Sequence, residues 1–163
     1  MTFVAEHQID NARLLATADK GRPRSASLRR AASTAYYAAF QALCSTCADR
    51  LVGDKPYSVY TPVFRAIDHG AATQALNASL LAASPELRRL GLLLKELQKA
   101  REWADYNPEP RPDYGAGAPD TNFTRQETLK LIDMAVEAVG ILNRLDQDTR
   151  LKLAVRLVAR TRK

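Results

Sequence analysis

Between Leu87 and Tyr106, apolar or small residues recur at steps of three and four: Leu87, Leu90, Leu94, Leu97, Ala100 and Ala104. Residues so spaced share one face of a helix, so the stretch predicts a long helix that buries a seam. Ser84-Pro85-Glu86 opens it, serine as cap and proline in the first turn. Asn107-Pro108 closes it, because the residue before a proline is pushed out of the α region. Arg101 stands on the seam, where a charge is costly without a partner. Asp105 lies one turn on, at i,i+4, although a carboxylate in a last turn opposes the helix dipole. Either the two make a local bridge or they are aimed at something else. The rest of the chain looks organised around this helix.

A second long helix is expected from Ser25 or Ser27, either of which could cap it, to about Gly53. Leu28, Ala32, Ala35, Ala39, Leu43 and Cys47 form its stripe, widened by Tyr36 and Phe40. Seven alanines between Ala26 and Ala42 let another helix approach closely. Ala31 to Ala48 is uncharged over eighteen residues but holds Ser33, Thr34, Gln41, Ser45 and Thr46, which suits a buried bundle helix better than a membrane span. No stable membrane insertion is expected. Cys44 and Cys47, without a second pair or a nearby histidine, read as small residues on a packed helix, not a metal or redox site.

Further helices are expected over His7 to Ala18, from Thr61-Pro62 to His69-Gly70, and over Ala71 to Ala82. Thr124-Arg125-Gln126-Glu127 is a capping box. The helix it opens carries Leu129, Ile132, Ala135, Val136, Val139 and Leu142 and reaches about Leu145. A joint at Asp146 to Asp148, or a simple continuation, leads to a basic amphipathic helix at about 148–160. Its expected apolar side is Leu151, Ala154, Val155 and Val158, and its basic side Lys152, Arg156 and Arg160. Asn107 to Phe123 holds four of the eight prolines and keeps no periodicity, so it reads as a long loop, either a connector or a cover for the Arg101 turn. No strand alternation and no internal repeat is evident. The fold class is all-α, an antiparallel bundle of five to six helices in one domain over residues 1–163, a length that suits a single core.

The formal charge of +6 and a pI near 9.5 fit a polyanionic partner, though many soluble proteins are as basic. The opening residues, with Glu6 and Asp10, lack the apolar core of a secretory signal, so a cytoplasmic address is the expectation. Glycine-rich phosphate loops, HExxH and GxSxG are absent from the sequence. No cofactor and no metal is therefore expected. The two histidines, His7 and His69, read as surface residues. One constellation remains: Ser33, Tyr36 and Tyr37 on the alanine-rich helix, and Arg101, Asp105 and Tyr106 on the leucine helix. If the helices pack, a planar guanidinium fork for phosphate would lie beside phenols that can stack a base.

AASTAYYAAFQAL, followed some sixty residues later by QKAREWADYNP, resembles the HEPN superfamily of small bacterial helical proteins, in its subgroup with an AYYAxF helix and an RxxADY helix. The likeness spans about residues 5 to 145. It implies a helical bundle that dimerises, with the paired long helices bringing two arginine motifs into one cleft. Many such proteins are metal-independent ribonuclease toxins or partners of a minimal nucleotidyltransferase. The ribonuclease members carry a histidine after the arginine, with four to six residues between. Here Tyr106, Asn107 and Pro108 occupy those places, and Gln41 stands where many members have histidine. Three readings follow. The first is a dimeric nucleotide- or RNA-binding or regulatory module, part of a toxin–antitoxin or defence system, with Ser33, Tyr36, Tyr37, Arg101 and Asn107 as ligand contacts. The second is a ribonuclease toxin using Arg101, Asp105 and Tyr106. The third is a purely structural dimerisation protein with Arg101–Asp105 as an interface bridge. A nucleotidyltransferase partner would make Tyr106 a candidate modification site.

Overall fold

A computed structural model describes residues 3–76, 84–107 and 123–159 of the chain. Seven helices and no strand occur among them: α1 (Phe3–Thr17), α2 (Ser25–Val52), α3 (Tyr57–Arg65), α4 (His69–Leu76), α5 (Pro85–Tyr106), α6 (Arg125–Arg144) and α7 (Gln147–Val158). The all-α class expected from the sequence is what the chain adopts. Of the two alternatives at Asp146 to Asp148, the joint is what occurs, with the chain breaking at Leu145. There the Asp146 carboxylate accepts from Thr149 N and starts α7 as a separate helix.

The helix at the centre is α2, not the leucine helix α5. It packs against α1, α3, α5, α6 and α7. Its buried residues fall on every side, including Ala31, Ala32, Ala35, Ala38, Ala39, Ala42 and Ala48. Alanine is the best helix former and the smallest side chain that remains one, so helices can close on α2 from several directions at once. Cys44 and Cys47 are part of this packing, and burial pushes both thiols up to about 12. Neither Ser25 nor Ser27 caps α2. Arg24 holds the N-cap position without a side-chain bond, its own N–H and guanidinium tied back to Asp19.

The two strongest start signals behave as the sequence implies. Ser84 accepts from Leu87 N at the head of α5. Thr124 and Glu127 exchange both bonds of the capping box on α6. The Thr61-Pro62 signal misleads: α3 begins one turn earlier, after Pro56, and carries Pro62 inside it. It ends at Arg65, so His69 opens α4 and does not close α3. Asp68 makes that start, its carboxylate accepting from Ala71 N at 3.0 Å and its carbonyl from Ala72 N at 2.9 Å. On α7 the buried residues are Leu153, Ala154 and Leu157, whereas Val155 is 49% exposed. The expected apolar side was thus rotated, because apolar residues surround much of this helix. The expected loop at 108–122, the end of the helix expected to reach Ala82, and Arg160 lie outside the described residues.

Two arginines tie chain connections to helices. Arg125 on α6 donates to the carbonyls of Ala16, Asp19 and Gly21, fixing the α1–α2 turn. Arg29 on α2 donates to the carbonyls of Ala104 and Asn107 and lies 5.0 Å from the Trp103 ring, closing the C-terminus of α5. No helix among the described residues is long and apolar enough to cross a membrane.

Candidate functional site

The contact between α2 and α5 sets Arg101 against the tyrosines of the alanine-rich helix. The Arg101 guanidinium carbon lies 5.4 Å from the Tyr36 ring centroid, 5.8 Å from that of Tyr37 and 5.8 Å from that of Tyr106. These are cation–π distances. The side chain is 11% exposed, so the charge sits in a wall of rings and not in bulk solvent. Asp105 is a loose companion, with Oδ2 at 3.9 Å from Nε. That separation is an ion pair without a hydrogen bond, and Arg101 Nε is buried with no hydrogen-bond partner. Nη1 reaches the Tyr106 hydroxyl at 3.5 Å. Tyr106 itself is 75% exposed. One end of the group is therefore enclosed and the other open.

A histidine joins the group, contrary to the expectation of a surface residue. His69 arrives from α4. Its ring stacks on Phe40 at 3.9 Å between centroids, and its Nδ1 lies 2.5 Å from the Tyr36 hydroxyl. Tyr37 meets it edge-on at 6.2 Å. Thr73, one turn further along α4, donates to Gln98 Oε1 at 2.6 Å, which pins α4 to α5. Burial lowers the His69 pKa, the Arg101 guanidinium lowers it further, and Asp68 works in the opposite direction. The imidazole is accordingly neutral at pH 7. Burial raises the Tyr36 phenol far above its ordinary value, so it keeps its proton.

Tyr36, Tyr37, Arg101, Asp105 and Tyr106 thus come together as the sequence suggests. Ser33 is buried within α2, one turn before Tyr37. Asn107 is the C-cap of α5, its carbonyl accepting from Arg29, and none of its described contacts is with the Arg101 group. Sequence reasoning misses His69 because it reads the residue as the end of α3 and cannot show that α4 packs on α5. The usable signal was Asp68, a helix cap that makes the next residue the first of a helix rather than the last.

The group can do two things chemically. It offers an unspent guanidinium donor beside exposed aromatic surface, which suits a phosphate with an attached base. It also holds a neutral imidazole next to a cation, which suits proton transfer near a developing negative charge.

The chain matches no protein-family model, no curated protein and no solved structure.

Proposed function

We propose that this chain is a HEPN-like module that binds a nucleotide or a segment of RNA at the Arg101 group and works as a homodimer. The observation that carries the reading is the Arg101 guanidinium itself, enclosed by three tyrosine rings with its Nε lacking a hydrogen-bond partner. The guanidinium is enclosed at Nε, so an anion would meet it at the Nη1 end, which reaches the hydroxyl of the exposed Tyr106. The exposed Tyr106 ring gives a base something to stack on. Dimerisation rests on the resemblance of the two helix motifs, and would set two such groups face to face. By the same resemblance, a nucleotidyltransferase is the expected protein partner, with the exposed Tyr106 hydroxyl as its target. The test is fluorescence anisotropy with a labelled single-stranded RNA. Binding should weaken as salt rises, and Arg101→Ala should weaken it by about tenfold or more. A folded protein that shows no binding at low salt would end this reading.

His69 supports a second reading, RNA cleavage by a metal-independent route. The 2′-oxygen of a bound RNA would attack the adjacent phosphorus and the bond to the 5′-oxygen would break, giving a cyclic phosphate and a free 5′-hydroxyl. His69 would take the 2′-hydroxyl proton, the departing 5′-oxygen would take a proton from water, and Arg101 would stabilise charge on the phosphoryl oxygens. This would require the imidazole proton on Nδ1, donated to the Tyr36 oxygen, with the Nε2 lone pair left to act. RNA incubated with the protein and a chelator would then be cut. His69→Gln would abolish cutting while binding survives. RNA that stays intact while bound leaves the binding module as the function.

A further inference from the structure

On the opposite side of α2 from the Arg101 group lie two adjoining cavities, of about 530 and 230 Å3. At 100° per residue, Ala42, Ser45 and Asp49 point away from Tyr36 and Phe40. Ala42 and Ser45 line both cavities, so the two lie side by side along α2. Their volumes fall in the range of small-molecule sites, about 300–1,000 Å3 when taken together.

The two lobes differ in chemistry. The larger is lined by Asp49, Arg50, Asn143, Gln147 and Arg150. Both arginines are anchored by backbone carbonyls at the α6–α7 joint. Arg50 Nε donates to Gln147 O at 3.0 Å, and Arg150 Nη2 to Asn143 O at 2.8 Å. Anchoring holds two guanidinium groups beside one opening without spending all their donors. Arg150 Nε is buried and has no hydrogen-bond partner. The smaller lobe is lined by Val4, Tyr57, Tyr60, Thr61, Phe64 and Arg65 among others. Tyr60 and Phe64 stack at 6.3 Å, and Tyr57 is 76% exposed. Thr61 Oγ1 is buried without a partner in this lobe. Between the lobes the Tyr60 hydroxyl donates to Asp49 Oδ1 at 2.9 Å and also meets Ser45.

A cavity with two arginines beside one lined by aromatic rings suits a molecule with an anionic end and a flat end. We propose that this double cavity is a binding site for a small anion carrying a flat ring, the class to which nucleoside monophosphates belong, with Arg50 and Arg150 holding the phosphate and Tyr57 and Phe64 the ring. Asp49 offers an acceptor to a sugar hydroxyl. The site shares no residue with the Arg101 group and does not depend on the function proposed there.

Calorimetry with adenosine 5′-monophosphate, adenosine and inorganic phosphate as separate probes tests this. The monophosphate should bind about tenfold or more tightly than either half. Arg50→Gln should weaken the monophosphate and phosphate but not adenosine. Tyr57→Ala should weaken the monophosphate and adenosine but not phosphate. Both substitutions lie at the cavity rim, and circular dichroism checks that each variant keeps its helices. In Arg101→Ala, where the other group no longer contributes, the monophosphate should still bind more tightly than either half and still respond to both rim substitutions. The proposal is overturned if the monophosphate fails to bind at millimolar concentration, if binding ignores both rim substitutions, or if Arg101→Ala alone removes it.

Discussion

The Tyr36 hydroxyl and His69 Nδ1 lie 2.5 Å apart although 33 residues separate them in the chain. The pair joins the helix at the centre of the bundle to the short helix α4, directly beside the Arg101 guanidinium. Tyr36 is almost wholly buried and its phenol stays protonated, so the contact is a hydrogen bond between two neutral groups.

That pair makes stability depend on pH in a stated direction. The folded value of His69 lies below its ordinary 6.5. Between the two, the unfolded chain takes up a proton that the folded chain refuses, so stability is full above 6.5 and falls as pH drops toward the folded value. Urea midpoints at about pH 7.5 and about pH 5.5 should therefore fall further in the wild type than in His69→Gln, the carboxylates being common to both. Equal losses in the two proteins would contradict the burial of His69.

Arg101 is both a packing residue and a charge. Arg101→Ala removes contacts with three rings and should lower stability by about 1–2 kcal/mol, in line with partly desolvated cation–π contacts. Arg101→Lys keeps the charge and loses the planar fork. It should restore most of the stability and little of the RNA affinity. Thermal melts and anisotropy on the same samples separate the two effects.

Leu97 and Ala35 test the core from opposite sides, since each is 0% exposed. Leu97→Ala leaves a cavity and should cost about 2–5 kcal/mol. Ala35→Leu forces methyl groups into a helix contact with no room for them and should cost about 1–3 kcal/mol. If the longer side chain at position 35 were tolerated without loss in denaturation, α2 would not be packed as described.

Arg29→Ala releases the end of α5. The carbonyls of Ala104 and Asn107 lose their donor, and Trp103 loses its cation. Hydrogen exchange at the last turn of α5 should quicken, and Trp103 emission should shift to longer wavelength, with about 1–2 kcal/mol lost overall. Exchange confined to its original rate would place the cap elsewhere.

Features set by local chemistry were readable from the sequence. The ends of α5 follow from Ser84, Pro85 and Asn107, and the start of α6 from Thr124 and Glu127, because a cap acts within one turn. The meeting of Arg101 with Tyr36 and Tyr37 was readable because α5 carries a leucine stripe with Arg101 in line with it and α2 an uncharged, alanine-rich run that other helices can approach. Elsewhere the local signal was weak or shared between two answers. Thr61-Pro62 has the form of a helix start, yet the turn before it is also helical. Leu151, Leu153, Val155 and Leu157 give α7 two apolar sides, and only packing on α2 chooses Leu153 and Leu157. His69 owes its place to α4 resting on α5, a contact that no residue beside it announces.

The alanine-rich helix borders the Arg101 group with one side and the paired cavities with the other, and five helices pack along it. A rod gripped along its whole length cannot turn to favour one opening. A rotation large enough to draw Tyr36 off His69 would drag Asp49 off Tyr60 in the same movement. Whatever occupies one face of the bundle therefore meets a wall whose position the other face has already helped to fix.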